Sequence, residues 1–277
     1  MKPRISIIIP CYNGEKHIRE TLNCLLEQTI EDWECIIVND GSVDHSIDIL
    51  KEYAKKDIRF HYIDKENEGP SVARNTGIKA SSGKYILPLD ADDLIDPTYV
   101  EKAITYLEQH PNTKMVYCIC ETFNGDKRGD FVMEKYSYEV MIWKNMLFNA
   151  GVFRRSDFDK TDGYNPNMRR GNEDWDFWIS LLKPEDEVYQ IPEKLFFYRK
   201  EGGSRHDGTY NITDELNRQM ILNHLDVYNK YFGGLINWHN EVERLNQEID
   251  KINHSLTYKI GLLFSTPIRT LRKLINS

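Results

Sequence analysis

Five short apolar runs punctuate the first half of this chain: Ile5 to Ile9, Trp33 to Val38, Arg59 to Ile63, Tyr85 to Leu89 and Met115 to Ile119. Each has the length and the flanking turn residues of a strand. Ile18, Leu22, Leu25 and Leu26 recur at helical spacing between the first two runs, and Ile47, Leu50 and Ala54 do so between the next two. Parallel strands need a crossover, and a helical crossover must bury its apolar stripe on the sheet. The rhythm therefore predicts an α/β chain, a Rossmann-like, doubly wound, largely parallel sheet. From about Pro111 the alternation lapses, with loops expected at Asn124 to Asp130 and Lys160 to Gly171, and a second lobe packed on the first sheet is expected there.

In doubly wound sheets, ligands bind beyond the carboxyl ends of the strands. Here those ends carry Tyr12 and Asn13, then Asn39 and Asp40, then the run "DADD" with Asp90, Asp92 and Asp93. Turn chemistry accounts for Asn13-Gly14 and Asp40-Gly41. It does not account for three crowded carboxylates, which need a cation or a proton to offset their repulsion. Counted as a calcium loop, Asp90, Asp92 and Glu101 take the first, third and twelfth positions, but Leu94 and Ile95 stand where an oxygen ligand and a glycine are required. Asp96 suits the start of the helix that Pro97 would open, which leaves Asp90 and Asp92 without a role. Magnesium or manganese fits better, because these ions bind through one or two carboxylates, keep waters and take substrate phosphates as further ligands. Such a site implies a diphosphate-bearing substrate. The usual phosphate cradles are missing: no GxGxxG follows the first strand, and "GIKASSGKY" has five residues between its glycines and Tyr85 where Ser or Thr must hold the metal.

A second constellation lies in "GNEDWDFWISLL", where Glu173, Asp174 and Asp176 accompany Trp175, Trp178, Ile179 and Leu182 at helical spacing. The stripe reads as core, with one tryptophan near its start able to reach the site. Asp174 opens the helix beside these aromatics, where partial desolvation would raise its pKa and suit it to accept a proton.

The formal net charge of −8 argues against general nucleic-acid binding. Five cysteines without paired spacing read as reduced core thiols. The N-terminal apolar patch is too short for a signal-peptide core or a membrane span, so a cytoplasmic location is expected, with membrane attachment by other means open. A helix is expected from Thr213 to Phe232. Beyond it, Leu235, Trp238, Val242, Leu245, Ile249, Ile252 and Leu256 step by threes and fours, which suits a coiled coil between copies or a helix packed back on the body. The segment from Ser255 to Ser277 has four basic and no acidic side chains. It reads either as an amphipathic tail for an anionic membrane or as a core-packing helix with a solvated basic face.

"SIIIPCYNGEKHIRETLNCLLEQT", "CIIVNDGSVDHS", "NEGPSVARNTGIKASSGKYILPLDADD" and "NEDWDFWISLL" resemble, in order, the motifs of the family 2 glycosyltransferases with the GT-A fold, over about the first two hundred residues. The resemblance implies a GT-A mixed sheet with a C-terminal helical extension. It implies a nucleotide-sugar-binding half at 1–110, an acceptor-side half with the base at 111–210, helices at 211–254 and the basic tail at 255–277. By the same resemblance Pro10, Tyr12, Glu15 and Arg74 line the nucleotide pocket and Asp40 binds the base, usually uracil. Asp90 approaches the ribose and metal, Asp92 is the principal ligand of Mn2+ or Mg2+, Asp93 is either ligand or support, and Asp174 is the general base. The implied reaction inverts the sugar carbon, with a UDP-sugar as donor and a glycan or lipid-linked acceptor at the inner face of the cell membrane.

Relatives often carry an Arg-x-His segment near the diphosphate, and here Glu201 stands at the histidine's place. Glu201 or His206 is left as a third ligand, with Arg199 and Arg205 as alternative partners of the diphosphate. Two other functions compete. A nucleotidyltransferase would carry a Gly- and Lys/Arg-rich first loop, which "PCYNGEKH" matches poorly. A non-catalytic carbohydrate-binding module would have lost Asp92 or Asp174.

Overall fold

The computed structural model describes residues 2–131, 134–201 and 213–232, together with 243, 244, 247, 248, 250, 251 and 254. The chain forms two compact units, 1–223 and 224–277. The first is built on one mixed sheet. Strand β1 (Ile5–Cys11) leads through helix α1 (Ile18–Leu26) to β2 (Trp33–Asp40), and α2 (Ser46–Lys56) leads to β3 (Phe60–Lys65). Helix α3 (Pro70–Ala80), β4 (Tyr85–Pro88), the short β5 (Leu94–Ile95) and α4 (Tyr99–Gln109) follow. The chain continues through β6 (Thr113–Asn124), β7 (Lys127–Asp130), α5 (Tyr138–Met141), β8 (Val152–Arg154), α6 (Arg155–Phe158), α7 (Glu173–Leu181) and β9 (Glu187–Arg199).

The strand order is β3-β2-β1-β4-β8-β6-β9-β5, with β7 paired to β6. Strands β1 to β4 are mutually parallel, as the alternation predicts. Ile5, Ile7, Ile8 and Ile9 are all buried, because helices cover both faces of this half. The expected second lobe is instead a continuation of the same sheet: β8 pairs antiparallel with both β4 and β6, and β9 then runs parallel to β6. Three residues of β8 suffice to join the halves, which is why no long apolar run announces the junction. The helix expected from Thr213 to Phe232 is two helices, Thr213–Asn223 and Leu225–Phe232. Asn223 ties the first to the sheet unit by donating to Asp176 Oδ1 at 2.7 Å and to Asn167 Oδ1 at 3.1 Å. The seam from Leu235 to Leu256 and the basic tail lie outside the described residues. Among the described residues no helix is long and apolar enough to cross a membrane.

Helix α3 sets the depth of the site. Gly69 precedes it with φ +94°, a conformation that favours glycine, and Pro70 supplies a preset φ in the first turn. Its buried face rests on the sheet at Gly77, where an added Cβ would lie 2.7 Å from Ile8 Cγ2 and 3.2 Å from Val38 Cγ2. Asp96 shapes the approach to α4 by accepting from the Thr98 N–H at 2.9 Å and the Thr98 hydroxyl at 2.6 Å, so the helix starts at Tyr99 rather than Pro97. All five cysteines are free thiols, and four of them are buried.

At the opposite end of the strands from the site, Glu34 Oε1 accepts from the Ser6 hydroxyl at 2.7 Å, the Ser82 N–H at 2.6 Å and the Gly83 N–H at 3.1 Å. Burial alone would raise the Glu34 carboxyl, but the donors from Ser6, Ser82 and Gly83 outweigh it and hold the group below its ordinary value. Glu34→Gln is expected to cost about 1–3 kcal/mol in urea denaturation at neutral pH. A carboxyl depressed in the folded state stabilises above its unfolded pKa and loses that contribution as pH falls through the folded pKa. The difference from the parent protein should therefore shrink in acid.

Candidate active site

Two loops leave the carboxyl ends of β1 and β2 and lock together. Asn13, at φ +52°, donates its N–H to Ser42 Oγ at 2.9 Å and accepts the Val43 N–H on its side chain at 2.9 Å. The Gly14 N–H donates to Ser46 Oγ at 2.8 Å, the Glu15 N–H to Asp44 Oδ2 at 3.0 Å, and the His45 N–H to Glu15 Oε2 at 2.8 Å. Pro10 is half-buried near the end of β1, which closes on the buried Cys11, and Tyr12 stands exposed beyond it. Asp40, by contrast, is buried. Its carboxylate accepts from the Glu68 N–H at 3.0 Å, the Gly69 N–H at 2.8 Å and Lys65 Nζ at 3.0 Å, stapling the β3–α3 loop to the end of β2. These three donors use most of the roughly four acceptor positions of a carboxylate.

Arg74, on the buried face of α3, is only 2% exposed. One of its terminal nitrogens donates to Asp90 Oδ1 at 2.6 Å and the other to Glu173 Oε1 at 2.9 Å. Burial would lower the guanidinium's pKa, but the charges of Asp90 and Glu173 more than reverse this and keep it protonated. The Tyr164 ring lies 5.4 Å from its carbon, and Asn149 adds a second donor to Asp90 Oδ1 at 3.2 Å. The aspartate cluster after β4 and the acidic start of α7 are thus joined by one cation.

Asp174 follows Glu173. Its Oδ1 accepts the Trp175 N–H at 2.7 Å and its Oδ2 accepts from Asn145 Nδ2 at 3.3 Å. Burial first and the Glu173 charge second push its carboxyl up to about 6, against the opposing pull of Arg74. Trp175, Trp178, Ile179 and Leu182 are core, as their spacing predicts. The Trp175 indole donates to the Met141 carbonyl at 2.6 Å and so fixes the segment that carries Asn145.

The aspartates of the cluster have separate surroundings. Asp93 is buried, with Oδ1 accepting the Arg199 N–H at 2.9 Å, so it supports the strand end rather than the open site. Asp92 keeps solvent contact, and its carboxylate makes no hydrogen bond or ion pair to another residue among the described residues. Desolvation by the surrounding protein, then the charge of Asp90, raise its carboxyl, and His17 and Arg199 oppose them only in part. A solvent-facing carboxylate without an ion-pair partner, beside a second carboxylate, suits a divalent cation. Among the described residues no three His, Cys, Asp or Glu side chains gather to hold an ion unaided. Two carboxylates with phosphate oxygens are, however, a sufficient set for Mg2+ or Mn2+.

Arg199 anchors the end of β9, donating from Nε to the Asp92 carbonyl at 2.8 Å and from a terminal nitrogen to Glu20 Oε2 at 2.6 Å. Glu201 accepts from Lys16 Nζ and lies 3.3 Å from His17 Nε2. Arg205 and His206 lie outside the described residues. Sequence reasoning passed over Asn145, Asn149, Tyr164 and Tyr198. Burial, then the charges of Asp93, Asp90, Asp92 and Asp174, raise the Tyr198 hydroxyl to about 12, so this one side chain senses both sets of acids. Only strand parity in β9 could have singled it out.

Residues 6–175 match the sequence pattern of "Glycosyl transferase family 2". The chain belongs to this family. It is 32% identical over 249 residues to the uncharacterized glycosyltransferase EpsJ of Bacillus subtilis, covering 83% of this chain and 71% of that one. Among solved structures, TarS of S. aureus in complex with UDP-GlcNAc superposes with a TM-score of 0.66 at 22% identity, over 80% of this chain and 66% of TarS. The mannosyltransferase PcManGT of Pyrobaculum calidifontis, solved with GDP-Man and Mn2+, gives 0.59 at 16% identity, over 96% and 85%. The sheet is the GT-A fold of glycosyltransferases, as the motifs implied.

In this family 2 chain the buried ion triplet should dominate local stability. Arg74→Met leaves two carboxylates without their cation and should cost about 3–5 kcal/mol in denaturant titration. The double variant Arg74→Met, Glu173→Gln should lose clearly less than the sum of the single changes, because the two groups are directly coupled.

Proposed function

We propose that the protein is an inverting, metal-dependent glycosyltransferase that moves a sugar from a uridine-linked nucleotide donor to a hydroxyl of a growing glycan or lipid-linked oligosaccharide. The observation that carries this reading is the Arg74 bridge, which ties the Asp90 cluster to the residue preceding Asp174. Pro10, Tyr12 and Glu15 border the nucleotide. Asp40 shapes the wall beside the base with its remaining acceptor position, and Arg74 supports the pocket from beneath. Asp92, with Asp90 beside it, would hold Mn2+ or Mg2+, which when bound would offset the charge of the leaving diphosphate.

Asp174 takes the proton of the acceptor hydroxyl, and Asn145 holds the carboxylate's orientation. The freed oxygen attacks the anomeric carbon opposite the diphosphate, the bond to the diphosphate breaks, and configuration inverts. On this reading the acceptor is assembled at the inner face of the cell membrane, with the basic tail 255–277 as the peripheral attachment and the seam before it as a contact between copies. Family membership and the retention of both Asp92 and Asp174 favour this reading over a nucleotidyltransferase or a non-catalytic module.

UDP release from UDP-sugars in the presence of Mn2+ tests the reading, with GDP-sugars as the control for the base. Turnover should fall as pH drops through about 6, where the Asp174 carboxyl takes up a proton and loses its acceptor. Asp174→Asn should lower turnover by about 100-fold or more while UDP still binds. Calorimetry of Asp92→Ala should show UDP binding that no longer responds to Mn2+, and an unchanged response would remove Asp92 from the metal site.

A further inference from the structure

The basic side chains near the aspartate cluster are not equally committed. Arg74 is enclosed by Asp90 and Glu173, and Arg199 is taken up by Glu20 and the Asp92 carbonyl. Lys16 and His17, at the entry to α1, remain. Both meet a single carboxylate, Glu201, which reaches across from the end of β9. The Lys16 side chain is 69% exposed, so nothing in the fold requires its ammonium to stay on Glu201. His17 is largely enclosed near Asp92, and among the described residues its buried Nδ1 has no partner. A carboxylate only accepts, so the Nε2 facing Glu201 carries the proton and is a donor.

This arrangement is an anion seat holding an anion that the protein supplies itself. A donor whose diphosphate lies against Asp90 and Asp92 brings further negative charge to an already acidic strand end, and beside it Lys16 Nζ and His17 Nε2 are held by Glu201 alone and can be exchanged. We propose that Lys16 and His17 seat the donor's diphosphate, and that the Glu201 carboxylate occupies this seat until the donor displaces it. The proposal rests on the nucleotide-sugar reading above and deepens it. The exchange replaces one set of charge-assisted hydrogen bonds with another and breaks no covalent bond. Glu201 thereby sets a threshold for donor binding and returns when the nucleotide leaves.

Calorimetry of the full chain with Mn2+, using UDP and, at millimolar concentration, uridine, tests the exchange. The double variant Lys16→Met, His17→Asn should lose about tenfold or more in UDP affinity, the scale of lost charge-assisted hydrogen bonds, with uridine affinity unchanged. Glu201→Gln should move the other way and bind UDP several-fold more tightly, again with uridine unchanged. An exposed ion pair of no consequence would leave UDP affinity as it was in Glu201→Gln, and a merely structural clasp would weaken UDP and uridine together. Either result overturns the proposal, as does an unaltered ratio of UDP to uridine affinity in the double variant. Failure of the parent protein to bind UDP or GDP at all would sink the nucleotide-sugar reading and this inference with it. Binding that ignores these substitutions would sink the inference alone.

Discussion

Arg74 is buried with a full positive charge, and that is tolerable only while Asp90 and Glu173 stay beside it. Each carboxylate is held by a different part of the sheet unit, Asp90 at the end of β4 and Glu173 at the start of α7. The ion triplet therefore does more than neutralise. It forces segments that are distant in the chain to meet at one depth below the crevice, and it does so without engaging the carboxylates of Asp92 or Asp174.

The division of labour among neighbouring acids follows from what each side chain touches. Asp93 is spent on the Arg199 backbone, Asp40 on the β3–α3 loop, and Glu173 on Arg74. Asp174 sits between opposed influences, with burial and Glu173 raising its proton affinity and Arg74 lowering it. A carboxyl that holds its proton more tightly than usual results from that balance rather than from any single neighbour. The crevice also has a continuous mechanical frame, since the strand that begins shortly after α7 ends at Arg199 against the Asp92 carbonyl.

Much of this was readable before any coordinates. The strands β1 to β4, the helices α1 and α2, the core stripe of α7 and the two acidic constellations all depend on local periodicity or on unusual crowding of charge. The joining strand β8 was not readable, because three residues paired on both sides carry no pattern of their own. Strand β9 was hidden for another reason: its pairing with β6 shifts register between Cys118 and Ile119 and again before Cys120, which breaks the alternation a strand would show. The role of Arg74 was out of reach as well. "GPSVARN" places an arginine near a pocket, but nothing in the run says that its two partners come from residues 90 and 173. Nor could the sequence say that the Asp40 carboxylate holds the β3–α3 loop, since those donors come from residues 65 to 69.

Gly77 lies one turn beyond Arg74 on the buried face of α3, and only a hydrogen atom separates the helix from Ile8 and Val38 there. The clearance behind the helix is therefore part of the tolerance of the crevice in front of it. A methyl group at this hidden position would act as a wedge, lifting the guanidinium away from its partners by a fraction of an ångström. The fit of the crevice is machined from the rear of the sheet, at a residue with no side chain.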